Sequence, residues 1–349
     1  MTRLGIAAVL AGAGYALPWL LGGSALMYGT LVAIAIFATM AYGLDIILSD
    51  LGEISLAHTA FFAAGAYAAA LLSVNAGLGA WLTLGGAVAA SLVLAGVLGL
   101  ITLRMREFAF SLVTYAAAVV CASVAANWDV LGGSDGVVGI PTLDLSIGPL
   151  TLEAGNNRQL WPYAYVLLLT TIYFVARFRR SRLGQAASMV HMNPRLAVMS
   201  GLNANRIRLL VFLVSAPVSA VAGWLYAYQR AYVGPDLFDT YFLVLMLTAV
   251  ILVGRRLLLA PLLGTALLLV QKSFFSLGAY GDKLVLGAVL VAALCLFPDG
   301  LASIRLRRSK MPPQLDFGHF RSCAGPEVRF GGDVVEGCVE RHGRDAERP

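Results

Sequence analysis

Long uncharged stretches alternate with short charged segments along the chain. No Asp, Glu, Lys or Arg occurs from Leu4 to Leu44 or from Ile54 to Leu103. Because a helix needs about 20 apolar residues to cross a bilayer, each stretch can hold two membrane-spanning helices joined by a short turn. Apolar runs recur as far as Gly300 and predict about ten spans, near residues 5–21, 27–48, 55–74, 78–102, 108–126, 160–176, 209–228, 238–253, 257–275 and 284–299.

The predicted fold class is all-α: a polytopic integral membrane protein with about 8–10 transmembrane helices. Helices are favoured because lipid cannot hydrogen-bond to free backbone groups, which a helix satisfies internally. The last three spans have charge-free centres of about 15 residues, which is short for a crossing, so their number is given as a range. We assign residues 1–301 to the transmembrane domain. Residues 302–349 hold 16 of the 44 charged residues and are expected to form a disordered cytoplasmic tail.

The charges between the spans predict which face is cytoplasmic. The segment from Arg177 to Arg208 contains seven arginines and no acidic residue, whereas the segment from Asn127 to Leu160 contains four acidic residues and one arginine. Positively charged loops remain in the cytoplasm, so the first segment should face inward and the second outward. Counting spans from there places both termini in the cytoplasm, together with Arg104, Arg106, Arg255, Arg256 and Arg305 to Lys310.

Composition excludes the common soluble classes. Apolar residues make up 59% of the chain and charged residues 13%, about half of what a soluble domain carries. The net charge of +6 is explained by basic cytoplasmic loops and indicates no nucleic-acid partner. The four cysteines lack metal-ligand spacing, and phosphate-loop, zinc-protease and serine-hydrolase motifs are absent. We expect no enzyme, no metal site and no cofactor in this chain, so that energy coupling comes from a partner or from ions.

Polar residues cluster where the second and third predicted spans meet. Between residues 43 and 58 the chain carries Asp45, Asp50, Glu53 and His58. We expect Asp50 and Glu53 to lie in a solvated loop. Asp45 and His58 lie deeper, where a charge costs several kcal/mol unless it faces a cavity or a partner. Each can line an aqueous path or be satisfied by hydrogen bonds between helices, and the pattern leaves both roles open.

The third predicted span is rich in small side chains. Between Phe61 and Ala70 it contains Gly65 and six alanines. Small side chains let membrane helices approach closely without a water-driven hydrophobic force, so this segment predicts helix packing.

The basic loop between the sixth and seventh predicted spans is moderately apolar. Its pattern indicates short helical turns around Asn193-Pro194, ended by Gly201 in a left-handed cap. An apolar face on a water-exposed loop indicates either a partner protein or a connector that lies on the bilayer or on the protein's own bundle. The pattern is formed by Ala186, Val190, Leu196, Ala197 and Ser200.

Short motifs appear in a fixed order between about residues 30 and 302. They lie at Gly52–Phe61, Arg106–Thr114, Gly132–Pro141, Arg180–Gly184, Ser200–Asn203, Ser215–Ala216, Tyr232–Asp236 and Phe297–Leu301. Together they resemble the permease subunits of ABC importers for branched-chain amino acids, the LivM-like branch. The resemblance departs at Ala57, where glycine is usual. It identifies an external loop motif that includes Gly133, Ser134, Asp135 and Gly136.

The resemblance implies a multi-pass subunit of an ATP-driven importer in the bacterial plasma (inner) membrane. The implied partners are a second permease subunit, two ATP-binding subunits and an extracytoplasmic solute-binding protein, so that ATP is bound by partners and not by this chain. It also implies that the basic loop contains a coupling helix, which sits in a groove of the ATP-hydrolysing subunit. The coupling residues would be Ala186, Val190, Asn193, Pro194, Arg195, Ala197, Ser200 and Gly201.

The implied mechanism is alternating access. As the ATPases close on the basic loop, the subunit would open outward and inward in turn, with selectivity residing largely in the solute-binding protein. The path should therefore bind solute weakly. Its lining candidates are Asp45, Ser55, His58, Thr59 and Thr114.

Two segments depart from the resembled pattern. The family usually has a glycine-rich turn before Gly-Pro, whereas residues 253–261 are Val-Gly-Arg-Arg-Leu-Leu-Leu-Ala-Pro. The tight turn and second cytoplasmic contact of the family therefore do not follow for this chain. The tail from Ala302 is the other departure, and a truncated fusion junction is an alternative to simple disorder.

Three other functions remain compatible with the sequence. A permease of the same type can carry urea, short amides or other small hydrophilic solutes. An ion-coupled secondary transporter would need buried ion-binding groups, of which Asp45 is the best candidate, although it lacks a second intramembrane carboxylate. The third is a structural subunit that scaffolds an active permease.

Overall fold

The computed structural model describes residues 14–19, 22–102, 107–146, 153–254, 256–274 and 278–296, with residues 12 and 105 and four residues of the tail. Residues 14–19 are helical. The other described helices are α1 (Ala25–Asp50), α2 (His58–Val74), α3 (Ala80–Thr102), α4 (Glu107–Asn127), α5 (Asn157–Arg180), α6 (Arg182–Met192), α7 (Pro194–Met199), α8 (Ala204–Arg230), α9 (Thr240–Val253), α10 (Ala260–Phe274) and α11 (Gly278–Leu296).

Nine of the predicted spans coincide with a described helix, and the first, near 5–21, is described only in part. Helices α1, α3, α4, α5 and α8 are long and apolar enough to cross a membrane, whereas α2 and α9 are shorter apolar helices. The chain is an all-α polytopic membrane protein, as predicted. The cytoplasmic position of the termini stays a prediction. Arg104, Arg106, Arg255 and the segments 297–301 and 305–310 lie outside the described residues.

Helix α1 forms the centre of the bundle. From Val32 to Asp50 it is buried at every position except Ala33. It packs against α5, α8, α9 and α10, and α8 packs in turn against α2 and α3. A helix that is apolar all round is expected to have neighbours on every side. Helices α3 and α4 are peripheral and expose large apolar side chains such as Val93 and Phe108.

Helices α2 and α8 approach closely because each places a glycine against the other's backbone. A Cβ at Gly65 would lie 2.0 Å from the carbonyl oxygen of Ala220, and a Cβ at Gly223 would lie 1.9 Å from the carbonyl oxygen of Phe62. Neither distance is compatible with a side chain. The packing role predicted for the small residues of 61–70 is confirmed.

Short strand pairs join the loops at one end of the bundle. Strand β1 (Val137–Val138) pairs antiparallel with β4 (Tyr232–Val233), and β2 (Leu143–Asp144) pairs antiparallel with β3 (Glu153–Ala154). The β1–β4 pair brings the loop between α4 and α5 against the loop between α8 and α9. Single 3-10 turns precede or follow these strands at Asp129–Leu131, Gly133–Asp135 and Pro235–Phe238.

Gly136 stands where the loop between α4 and α5 meets β4. Its φ is +71°, and a Cβ there would lie 2.5 Å from the carbonyl oxygen of Val233. Glycine adopts this left-handed conformation without the steric cost that other residues have. Of the other residues in the external loop motif, Gly133, Ser134 and Asp135 form the 3-10 turn directly before it.

The chain divides into two units, residues 1–304 and 305–349. In the second unit the structure describes the antiparallel pair β5 (Arg329–Phe330) and β6 (Asp333–Val334). The predicted disorder of the tail otherwise falls outside the described residues.

Candidate functional site

A cavity of about 750 Å³ lies at the end of the bundle where α1, α5, α9 and α11 begin and α8 and α10 end. The β1–β4 pair lies at this same end and contains part of the acidic loop 127–160. Because that loop is predicted to face outward, we call the cavity the outer vestibule.

The floor of the outer vestibule is apolar and aromatic. Phe37 lies about three turns into α1, and its ring stacks on that of Phe242 with centroids 5.5 Å apart. The ring of Tyr226 lies 5.8 Å from that of Phe37. Ala33 and Leu269 line the cavity beside these rings. The floor therefore offers an apolar surface to whatever enters.

Charged side chains of both signs line the vestibule at the helix ends. Two ion pairs join neighbouring helices: the Lys283 ammonium lies 2.7 Å from the Asp239 carboxylate, and the Lys272 ammonium lies 3.8 Å from the Asp282 carboxylate. The charged lining is balanced in sign, with three basic and three acidic members, Arg230, Lys272, Lys283, Asp236, Asp239 and Asp282.

Asp239 is also the N-cap of α9. Its carboxylate accepts a hydrogen bond from the backbone N–H of Tyr241 at 3.0 Å. Partial burial acts to raise the pKa of this carboxyl, but the hydrogen bonds from Lys283 and Tyr241 bring the pKa below its ordinary value. Asp239 is therefore ionised at neutral pH and contributes one of the negative charges at the rim of the vestibule.

Ion pairs also lie at the opposite end of the bundle. Asp45 is completely buried, and its carboxylate lies 2.6 Å from Nη2 of Arg179 and accepts a hydrogen bond from Ser49. Of the two roles that the sequence left open for Asp45, the structure places it in a contact between helices α1 and α5. The Asp50 carboxylate lies 3.7 Å from Nε of the same arginine.

The prediction that Asp50 and Glu53 lie in a solvated loop is wrong. Asp50 is 3% exposed and Glu53 is 7% exposed, and the Glu53 carboxylate lies 3.0 Å from Nε of Arg208. The physical reason is that α5 and α8 each place an arginine, Arg179 and Arg208, beside these carboxylates, so that the acidic residues gain charged partners.

The other path candidates form a buried polar cluster. Ser55, His58, Thr59 and Thr114 are all fully buried where the start of α2 meets α4 and α8. Nε2 of His58 lies 3.3 Å from Oγ of Ser215, and Oγ1 of Thr114 accepts a hydrogen bond from the backbone N–H of Leu56 at 3.1 Å. The structure brings these four residues together, and the outer vestibule is lined by other side chains.

Helices α6 and α7 lie between α5 and α8, on the arginine-rich side. The side chain of Asn193 caps α7 by accepting hydrogen bonds from the N–H groups of Arg195 and Leu196, and Pro194 occupies the first helical turn. Gly201 ends the segment with a φ of +79°. The predicted helical turns around Asn193-Pro194 and their glycine cap are confirmed.

The α6–α7 pair has a buried face and an apolar exposed face. Among the predicted coupling residues, Val190 and Ala197 are buried and Ala186 is half-buried, whereas Asn193, Pro194, Arg195, Ser200 and Gly201 are exposed. Large apolar side chains are exposed beside them, and Met199 is 83% exposed. The exposed apolar side chains of this face are Met189, Met192, Leu196, Val198 and Met199.

None of the charged residues at the rim of the vestibule is among the site residues predicted from the sequence. Arg230, Lys272 and Lys283 each look like an ordinary charge at the end of a span. Counting the predicted spans is the signal that could have found them, since the predicted topology puts all three residues at outer ends beside acidic residues.

Known sequences and a solved structure are similar to this chain. A family model described as the permease component of branched-chain amino acid transport systems matches residues 26–294. The LivM permease of the high-affinity branched-chain amino acid transport system of Salmonella typhimurium is 29% identical, with 76% of this chain and 67% of that protein covered. The Escherichia coli K12 LivM permease is 28% identical over the same shares. The solved structure of PsaBC from Streptococcus pneumoniae in complex with Fab matches with a TM-score of 0.43 and 14% identity, covering 85% of this chain and 99% of that one.

Proposed function

Because the chain belongs to the family of branched-chain amino acid transport permeases, we propose that it is a membrane-spanning subunit of an ATP-driven importer that moves branched-chain amino acids inward by alternating access. In this proposal it works in the bacterial plasma membrane with a second permease subunit, two ATP-binding subunits and an external solute-binding protein. The partner subunits bind and hydrolyse ATP, and this chain converts their movement into opening and closing of a path.

The observation that carries the importer proposal is the apolar face of α6–α7. Five large apolar side chains are exposed there on helices that lie outside the long spans. An exposed apolar patch of this kind is typical of a protein-protein contact. An ATPase that binds this face with different affinity in two states would shift the permease between those states.

The outer vestibule supports an amino acid as the transported solute. A zwitterion carries an ammonium and a carboxylate, and the vestibule offers fixed charges of both signs near its rim. The aromatic floor suits an apolar side chain. Urea and short amides carry no formal charge, so they would make no use of the charged rim.

The contacts of Asp45 favour the importer over an ion-coupled transporter. A coupling carboxylate must be able to bind and release a cation during transport. The Arg179 guanidinium lies 2.6 Å from Asp45 and already supplies a positive charge.

Ser55, His58, Thr59 and Thr114 are proposed to line the path in another conformation. Within the described structure, the hydroxyls of Ser55 and Thr59 are buried and have no hydrogen-bond partner. A buried hydroxyl without a partner costs about 1–3 kcal/mol. A state in which water reaches this cluster would recover that cost.

Reconstitution tests the proposal. The chain, its second permease subunit, the ATPases and the solute-binding protein are placed in proteoliposomes, and uptake of leucine, urea and acetamide is measured. We expect leucine uptake that requires ATP, with no uptake of the uncharged solutes above that of protein-free vesicles. Uptake driven by an ion gradient without ATPases, or urea uptake faster than leucine uptake, would overturn it.

A further inference from the structure

Arg256 has an unusual backbone conformation in the turn between α9 and α10. Its φ is +67°, in the left-handed region that residues with a Cβ rarely adopt. A residue in this conformation persists where the surrounding structure holds it. The contacts of Arg256 therefore identify what holds the turn.

Three hydrogen bonds connect Arg256 to three different helices. Its backbone N–H donates to Oγ of Ser49 on α1 at 3.0 Å, and its carbonyl oxygen accepts from Nη1 of Arg179 on α5 at 3.0 Å. Its own Nη2 donates to Oγ of Ser188 on α6 at 2.9 Å. The first two bonds use the backbone, and only the third uses the side chain.

The two partners of the Arg256 backbone, Ser49 and Arg179, both contact the buried Asp45 carboxylate. Ser49 donates a hydrogen bond to Asp45, and Arg179 pairs with the same carboxylate. The turn is fixed to α1 a second time by the Tyr42 hydroxyl, which donates to the carbonyl oxygen of Leu258 at 2.7 Å. The backbone of the turn is thus held by the bundle, and the side chain reaches out to α6.

Helices α9 and α10 extend from this turn to the outer vestibule. Tyr241 and Phe242 at the start of α9 line the cavity, as do Leu269 and Lys272 near the end of α10. Each helix has about 14 residues and spans about 21 Å, so a displacement at the turn is carried to the vestibule wall.

We propose that Arg256 is a positioning residue that transmits the movement of α6–α7 to α9–α10, and through them to the wall of the outer vestibule. This inference rests on the proposed function, because it takes α6–α7 as the face on which the ATPases act. Among the residues that the structure describes, the Arg256–Ser188 hydrogen bond is a polar contact between α6 and the turn that joins α9 to α10.

Two substitutions test the two ends of this contact. Arg256→Asn keeps the backbone hydrogen bonds and a residue type that tolerates positive φ, but its side chain is too short for Ser188. Ser188→Ala removes the acceptor, whereas Ser188→Thr retains the hydroxyl. Arg206→Asn is the matched control, since Arg206 is an exposed arginine on the same side of the bundle.

In the reconstituted complex we measure leucine uptake per ATP hydrolysed. Arg256→Asn and Ser188→Ala should each lower this ratio at least about fivefold, with ATP hydrolysis and the unfolding temperature retained. The double variant should be no worse than either single variant, because both remove the same contact. Ser188→Thr and Arg206→Asn should keep the wild-type ratio. Wild-type ratios in both single variants, or additive losses in the double variant, would overturn the inference.

A second measurement does not depend on transport. Spin labels on Met192→Cys and Leu259→Cys report the distance between α6 and the start of α10 in the full chain in nanodiscs, after the native cysteines are replaced. Arg256→Asn and Ser188→Ala should broaden the distance distribution, and an unchanged width would contradict the proposal. A complex without ATP-driven uptake whose distances nevertheless respond to these substitutions would count against the proposed function alone.

Discussion

At the scale of single residues, the buried charges show how this chain keeps ionised groups inside an apolar bundle. Arg179 is shared between Asp45 and Asp50, and it also donates to the carbonyl oxygen of Arg256. Removing one partner of a buried ion pair leaves the other charge without compensation. The sharing makes the contribution of the arginine larger than that of either carboxylate.

We expect Arg179→Gln to lower the free energy of unfolding by about 3–5 kcal/mol, because two buried carboxylates lose their counter-charge. Asp45→Asn should cost less, since the amide oxygen still accepts a hydrogen bond and Arg179 keeps Asp50. Unfolding of the purified protein in mixed micelles measures both. Arg177→Gln is the control: Arg177 is exposed on the same helix, and its loss should cost no more than about 0.5 kcal/mol. A cost for Asp45→Asn that exceeds that of Arg179→Gln would contradict this account.

The sequence predicts these residues only in part. It marks Asp45 as a buried charge, because a carboxylate within an apolar run is anomalous whatever surrounds it. It cannot identify Arg179 as the partner, since the two residues are 134 positions apart and their contact depends on how α1 packs against α5. The same reason explains the error at Asp50 and Glu53, where local polarity resembles that of an ordinary loop.

At the scale of helices, local pattern predicts the elements well and their contacts poorly. The apolar runs locate nine helices, because crossing a bilayer requires a run of fixed length. The small residues of α2 also predict a close contact, but which helix lies against them is not in the local pattern. The outer vestibule is assembled from six helices, mainly from their ends, so no single segment carries its signal.

The α2–α8 contact gives a test at this scale. Gly65→Ala should destabilise the protein by about 1–3 kcal/mol, because its Cβ would lie 2.0 Å from backbone atoms of α8 and the helices must separate. Gly85→Ala is the matched control in α3, where a Cβ would meet nothing within 4 Å. The difference in unfolding free energy between the two variants is the measurement. Equal stabilities would show that the helices adjust without cost.

At the scale of the whole molecule, orientation follows from a single crossing. Helix α5 separates the acidic loop from the α6–α7 pair, so these two segments must lie on opposite faces if α5 spans the membrane. The distribution of arginines predicts which face is which.

Cysteine labelling tests this topology. In a background without native cysteines, Val130→Cys should react with an impermeant maleimide in intact cells, and Met192→Cys should react only after permeabilisation. Both residues are exposed, with relative accessibilities of 60% and 78%, so protection from labelling reports the membrane and not burial. The control is labelling of both variants in detergent. Labelling of Met192→Cys in intact cells would reverse the orientation, and with it the assignment of α6–α7 to the ATPases.

The β1–β4 ribbon has a consequence for how solute could be handed over. It fastens the loop that precedes α5 to the loop that precedes α9, although the paired residues are nearly one hundred positions apart. Movement of one loop is therefore coupled to movement of the other. A solute-binding protein that docked on either loop would therefore displace both. Solute delivery and opening of the outer vestibule would then be mechanically coupled.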